Sequence, residues 1–122
     1  MPFQVIYDSE TACIVATLSG DLDTKVVAAF FDEVLRVAAD NDCDRVVSDL
    51  RDATIVASAA DMYWMADALS KKNVQSLQRR AIVVSRDQQD YSFWETLCAN
   101  RGQGNVRIFE DYDEARHWAL AR

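Results

Sequence analysis

The feature that most constrains the fold of this chain is the alternation of short apolar runs with longer segments of helical periodicity. Arg45–Leu50 (RVVSDL) and Ala81–Ser85 (AIVVS) have the length and β-branched content of buried strands. Between such runs, apolar residues recur every three or four positions, as they do on the inner face of a helix. Strands that alternate with helices form a mostly parallel sheet through right-handed crossovers. The sequence therefore predicts an α/β fold.

The chain opens differently, with two apolar runs that no helix separates. Phe3–Tyr7 and Ala12–Leu18 are joined by a short polar turn, which predicts an antiparallel hairpin. Ser19-Gly20-Asp21 is expected to end the second strand. The other predicted elements are helices over about 24–40, 58–71, 87–101 and from 111 onward, and a last strand over Val106–Phe109. The order β-β-α-β-α-β-α-β-α predicts one domain over 1–122, with a mixed, mostly parallel sheet of about five strands covered by helices.

Composition excludes several kinds of partner. The formal net charge is −7, and an acidic surface repels phosphate backbones, so we expect no nucleic-acid partner. No apolar run approaches the ~20 residues of a membrane-spanning helix. The start MPFQVIYDSE lacks the basic and apolar regions of a signal peptide. We therefore predict a cytoplasmic protein with no membrane partner.

The residues that usually carry catalysis or metal binding do not occur in the required patterns. Cys13, Cys43 and Cys98 are widely spaced. The one histidine, His117, is distant from them in sequence, so neither a zinc site nor a nucleophile–base pair is indicated. No phosphate-binding loop motif is present. We expect free thiols, no metal, no cofactor and no enzymatic activity.

Charged residues follow the predicted parallel strands, where ligands gather in sheets of this kind. The candidate residues for this site are Asp21, Arg51, Asp52, Arg86 and Asp87. Two arginines among aspartates can bind a carboxylate or a phosphate. The alternative is that these residues form ion pairs and helix caps with no ligand.

Two pairs of adjacent aromatic residues, Tyr63-Trp64 and Phe93-Trp94, lie within predicted helices. Adjacent helical residues cannot fully share one face, so at least one member of each pair is expected to be partly exposed. Exposed Trp and Tyr are typical anchors of protein interfaces. The alternative is a wide apolar face that contacts the sheet on one side and a neighbouring helix on the other.

The order of elements and several local phrases are similar to those of a known family. The phrases are Leu18-Ser19-Gly20, Val46–Asp52 (VVSDLRD), Arg80–Val84 (RAIVV) and Phe109–Trp118 (FEDYDEARHW). Over nearly its whole length the chain resembles the STAS-like superfamily, the fold of bacterial anti-sigma-factor antagonists, and above all its small uncharacterised members. The resemblance implies a mixed sheet with covering helices and a non-enzymatic role in binding a partner.

In regulatory members of that family, a motif like Asp-Ser-Ser-Gly opens the second helix, and a serine in it is phosphorylated by a partner kinase. The corresponding stretch here is Ala57-Ser58-Ala59-Ala60, in which the aspartate and the glycine are missing. Ser58 is the candidate modification site that the resemblance implies. The sequence also predicts Ser58 as the N-cap of this helix.

The function predicted from the sequence is therefore that of a regulatory domain. It is expected to be non-catalytic and cytoplasmic, and to bind another protein or a second copy of itself in a homodimer. The alternative is a domain that binds a small anionic ligand through the loops at the strand ends.

Overall fold

A computed structural model of the protein describes residues 2–69, 71–72, 76–85, 90–100 and 105–121, with the backbone alone for 90–93. Within these ranges the strands are β1 (Phe3–Asp8), β2 (Cys13–Leu22), β3 (Arg45–Ile55), β4 (Arg79–Val83) and β5 (Val106–Phe109). The helices are α1 (Thr24–Asn41), α2 (Ala59–Leu69), α3 (Asp90–Ala99) and α4 (Tyr112–Leu120). The predicted order of elements is confirmed.

The strands form one sheet whose spatial order follows the chain, β1-β2-β3-β4-β5. β1 is antiparallel to β2, and the other neighbouring pairs are parallel. The predicted mixed sheet with an antiparallel edge strand is thus confirmed. Because the order of the described strands never reverses, they leave no crevice of the kind that holds ligands in doubly wound folds.

Both β2 and β3 extend beyond their predicted ends. Ser19-Gly20-Asp21 and Arg51-Asp52 lie within strands, so the expectation that they follow strands is wrong. The two extensions pair with each other, from Ser19 opposite Asp52 to Leu22 opposite Ile55. This polar sequence forms strand because Leu22 still reaches the core. Gly20 also adopts a positive φ of 78°, which residues with a Cβ rarely adopt.

Smaller differences occur at the ends of three other elements. The strand predicted at 81–85 begins at Arg79, which pairs with Arg45 of β3, and ends at Val83. The helix predicted over 58–71 is described over Ala59–Leu69. The helix predicted over 87–101 is described over Asp90–Ala99.

Helices cover both faces of the sheet. Residues of α1, α2 and α3 share one large hydrophobic cluster with the strands, whereas α4 packs in a second cluster on the opposite face. The buried residues of the second cluster are small or medium-sized: Cys13, Val47, Ala81, Val83, Ala115 and Ala119. The partly buried Phe109, Tyr112, Trp118 and Leu120 pack against them. Ala115 and Ala119 are about one helical turn apart, so they line one face of α4 and let it approach the sheet closely.

Two arginines of the sheet bind the C-terminal end of α4. Nη1 of Arg45 donates hydrogen bonds to the carbonyl oxygens of Ala119 at 3.0 Å and Ala121 at 2.9 Å. Nη1 of Arg79 donates to the carbonyl oxygen of Trp118 at 2.9 Å, and its guanidinium lies 4.9 Å from the centroid of the Trp118 ring. These cations satisfy terminal carbonyls and complement the helix dipole, so they anchor α4 to β3 and β4.

We expect the substitution Ala115→Leu to lower the free energy of unfolding by about 1–3 kcal/mol, because the larger side chain overpacks the contact between α4 and the sheet. The control is Ala60→Leu, which adds the same volume at an exposed position of α2. Urea denaturation of both variants measures the difference. Equal free energies of unfolding would contradict the close packing of α4.

Candidate functional site

The predicted anion site at the strand ends is only partly assembled by the described residues. Asp21 lies in β2, and Arg51 and Asp52 lie in β3, all three exposed on the extension of these strands. Arg86 and Asp87 lie outside the described residues. Of the two arginines of the predicted site, only Arg51 is described. Its contacts therefore decide whether this edge of the sheet is free to bind an anion.

Arg51 is engaged by a carboxylate of its own strand. Its Nε donates to Oδ1 of Asp49 at 2.9 Å, and its Nη2 donates to Oδ2 at 2.7 Å. The backbone amide of Arg51 also donates to Oδ1 of Asp49, at 3.1 Å. The Arg51 guanidinium lies 5.8 Å from the centroid of the Tyr112 ring. An anion at Arg51 would have to compete with this bidentate pair, so the geometry favours the ion-pair alternative at this position.

The Asp49–Arg51 pair makes stability depend on pH. Hydrogen bonding from Arg51 lowers the pKa of Asp49 below its ordinary value. A folded-state pKa below the unfolded one contributes stability at neutral pH, and this stability is lost as the pH falls through the folded-state pKa.

We expect Arg51→Met to reduce the difference in unfolding free energy between neutral and acidic pH, because the exposed pair no longer stabilises the ionised Asp49 carboxylate. The pKa of Asp49, followed by an NMR titration of its carboxyl group, should rise toward its ordinary value. Arg107→Met is the control, because it removes the same charge from another exposed position. An unchanged pKa of Asp49 in Arg51→Met would contradict the pairing.

Ser58 begins the second helix as the sequence predicts. Its Oγ accepts a hydrogen bond from the backbone amide of Asp61 at 3.1 Å, and its carbonyl oxygen accepts one from Met62 at 2.9 Å. The bond to the Ser58 hydroxyl satisfies the Asp61 amide, which the first helical turn leaves without a backbone partner. Ser58 is therefore the N-cap, and α2 begins at Ala59. The predicted capping role is confirmed. Ser58 is exposed, and its modification stays a prediction.

The described members of the two aromatic pairs differ in their exposure to solvent. In α2 the buried residues are Met62, Met65, Ala66 and Leu69. Tyr63 and Trp64 fall outside that stripe and are 56% and 76% exposed. In α3, Trp94 is only 6% exposed and belongs to the core, so Trp94 offers no surface to a partner and its proposed interface role is wrong. The side chain of Phe93 lies outside the described residues.

Trp64 stands beside a groove between α1 and α2. The groove has a volume of about 400 Å³ and is lined by Thr24, Val27, Ala28, Asp61, Trp64, Met65, Ala68, Leu69 and Lys72. Its space arises where Ala28 of α1 and Ala68 of α2 present side chains too short to fill it. Nζ of Lys72 bonds Oδ1 of Asp32 at 2.7 Å, which ties the end of α2 to α1. Sequence reasoning missed this groove, because an exposed alanine gives no signal of what lies beside it.

The described residues offer little to catalysis or metal binding. No group of three or more His, Cys, Asp or Glu residues among them is arranged to hold a metal ion. Burial raises the pKa of the Cys13 thiol to about 11, so this thiol stays protonated near neutral pH. Cys98 is also buried, and Cys43 is half-buried. None of the helices in the described ranges is long and apolar enough to cross a membrane.

The fold and geometry can be compared with known proteins. No protein-family model matches the sequence, and no curated protein matches it. The chain is similar to the crystal structure of an uncharacterised protein of the DUF3478 family with a SpoIIAA-like fold from Shewanella loihica PV-4. The identity is 18%, the alignment covers 96% of this chain and 91% of that one, and the TM-score is 0.61.

A second solved structure shares the same architecture. It is an anti-sigma factor antagonist from Mycobacterium paratuberculosis, which is 14% identical to this chain. The alignment covers 98% of this chain and 95% of that one, with a TM-score of 0.63. Together with the observed sheet, these likenesses show that the chain has the SpoIIAA-like, or STAS-like, fold that its sequence resemblance implies.

Proposed function

We propose that this chain is a non-catalytic regulatory domain of the cytoplasm that binds a partner protein through the face formed by α1 and α2. The observation that carries the proposal is the side chain of Trp64, which is 76% exposed beside the groove between these helices. Tyr63, which is 56% exposed, extends the same helix surface. We define Tyr63, Trp64 and the groove as the α1–α2 face.

The α1–α2 face has the properties of an interface hot spot. Exposed tryptophan is costly in water, because its large ring buries no apolar surface there. A partner that covers Trp64 and inserts a side chain into the adjacent groove would remove both from water. Such pairing of an aromatic anchor with a pocket concentrates binding energy at the centre of an interface.

The charges around the face indicate the chemistry of the partner. Asp61 lines the groove and is exposed, and Asp67 of the same helix is exposed as well. The chain carries a net charge of −7. A partner surface that presents an apolar side chain flanked by Lys or Arg would therefore be attracted and correctly oriented. The likeness to an anti-sigma factor antagonist supports a regulatory role of this kind.

The test begins with purified protein. Light scattering after size exclusion at several concentrations reports self-association, and wild type is compared with Trp64→Ala and with the control Ile6→Ala. Ile6 is 52% exposed on β1, outside the α1–α2 face. If the partner is a second copy, Trp64→Ala should weaken the dimer at least about tenfold, whereas Ile6→Ala should not.

If wild type is monomeric, the same three proteins are used as affinity baits in an extract of the native cells. A protein captured by wild type and Ile6→Ala but not by Trp64→Ala is then purified, and its Kd for all three is measured. A loss of at least about tenfold confined to Trp64→Ala is expected. A monomer whose captured proteins bind Trp64→Ala as tightly as wild type would overturn the proposal.

A further inference from the structure

Two of the three cysteines meet at one end of the sheet. Cys13 begins β2, and Cys43 lies between α1 and β3. The carbonyl oxygen of Arg45 lies 3.7 Å from Sγ of Cys13 and 3.5 Å from Sγ of Cys43. Sγ of Cys43 also lies 3.4 Å from the carbonyl oxygen of Ala12, the residue directly before Cys13. Two thiols from distant parts of the sequence are thus neighbours in the fold.

The backbone around the two thiols holds them in this arrangement. Ala12 and Asp42, each directly before one of the cysteines, have positive φ values of 56° and 49°. Asp42 ends α1, and the amide of Cys43 donates to the carbonyl oxygen of Ala38 at 3.0 Å. Cys43 is therefore attached to the last turn of α1, and Cys13 to the hairpin of β1 and β2. The thiols are only weak hydrogen-bond donors, so they lose little when they react.

The two thiols differ in their access to solvent. Cys43 is half-buried and lines a surface pocket of about 360 Å³, together with the acidic residues Asp42 and Asp44. Cys13 is 1% exposed, and burial together with the neighbouring Cys43 thiol raises its pKa to about 11. An oxidant therefore reaches Cys43 first. A small uncharged oxidant is favoured, because the carboxylates of the pocket repel anions such as glutathione disulfide.

We propose that Cys13 and Cys43 form a reversible disulfide when the protein meets a peroxide. The Cys43 thiolate attacks one oxygen of hydrogen peroxide and the O–O bond breaks. Cys43 becomes a sulfenic acid, and the other oxygen leaves as water with the proton of the thiol. The Cys13 sulfur then attacks the Cys43 sulfur, the S–O bond breaks, and hydroxide leaves as water with the Cys13 proton. The two thiols lose two electrons in total, and one peroxide becomes two water molecules.

The disulfide joins the start of β2 to the end of α1. It closes a loop of about 30 residues that contains the whole of α1, and such a link stabilises the fold mainly by restricting the unfolded chain. The oxidised protein is therefore the more stable form. Neither cysteine lines the groove beside Trp64, so the proposal does not depend on partner binding at the α1–α2 face.

The test treats the reduced, folded protein with hydrogen peroxide and maps its tryptic peptides by mass spectrometry without reduction. Trypsin cleaves after Lys25, Arg36 and Arg45, so Cys13 and Cys43 fall in separate peptides. We expect these two peptides to be joined in the monomeric protein and to separate in dithiothreitol. The oxidised protein should unfold at a Tm about 5 °C or more above that of the reduced protein. An equal or lower Tm would overturn the stabilising role of the bond.

Two variants identify the order of the steps. In Cys13→Ser the Cys43 sulfenic acid has no thiol to react with, so its labelling by dimedone should exceed that of wild type at least about tenfold. The matched control Cys98→Ala removes the third thiol and should form the same joined peptides as wild type. The mapping of wild type needs no variant, so it decides the proposal even where a variant does not fold. Peptides joined through Cys98, a bond between the Cys43 residues of two molecules, or thiols that stay reduced would each overturn the proposal.

Discussion

The parallel pairing of β2 with β3 is the interaction on which the rest of the structure depends. It is the longest pairing of the described sheet, running from Ile14 opposite Val46 to Leu22 opposite Ile55. β2 also pairs with β1 in the hairpin, and β3 also pairs with β4. Parallel strands need a long crossover between them, and α1 supplies it while burying Phe30 and Val34 against the sheet. Without this pairing, the hairpin would separate from the remainder of the fold.

Different interactions stabilise the helices on the two faces of the sheet. On the side of α1–α3, large apolar side chains fill a thick layer, so packing dominates. On the other side, α4 lies close to the strands on alanines, and its C-terminal carbonyls are bound by Arg45 and Arg79. A thin apolar contact gains less from burial than a thick one. The charge-assisted hydrogen bonds at the helix end add to that contribution.

An internal cavity of about 60 Å³ in the core and the α1–α2 face are neighbours in the structure. Val27 and Met65 line both the internal cavity and the groove beside Trp64. A change in the packing of either side chain therefore reaches both places, since cores are close-packed and transmit small displacements.

The sequence by itself determined the features that depend on local periodicity and short-range hydrogen bonds. The order of strands and helices follows from apolar spacing. The capping role of Ser58 follows from a side chain that reaches an amide three residues ahead. The helical repeat also predicts that at least one of Tyr63 and Trp64 is exposed, because it cannot place adjacent residues on one inner face.

Only the tertiary structure decided the features that depend on residues brought together from distant parts of the chain. The polar extension of β2 is a strand because β3 lies beside it. Trp94 is buried although it is adjacent to another aromatic residue, and this depends on what surrounds α3. Arginine is usually found at protein surfaces. Strand alternation nevertheless places Arg80 on the same face as Ile82, and the helices above the sheet enclose it. No local pattern contains these neighbours, because each is supplied by a residue far away in sequence.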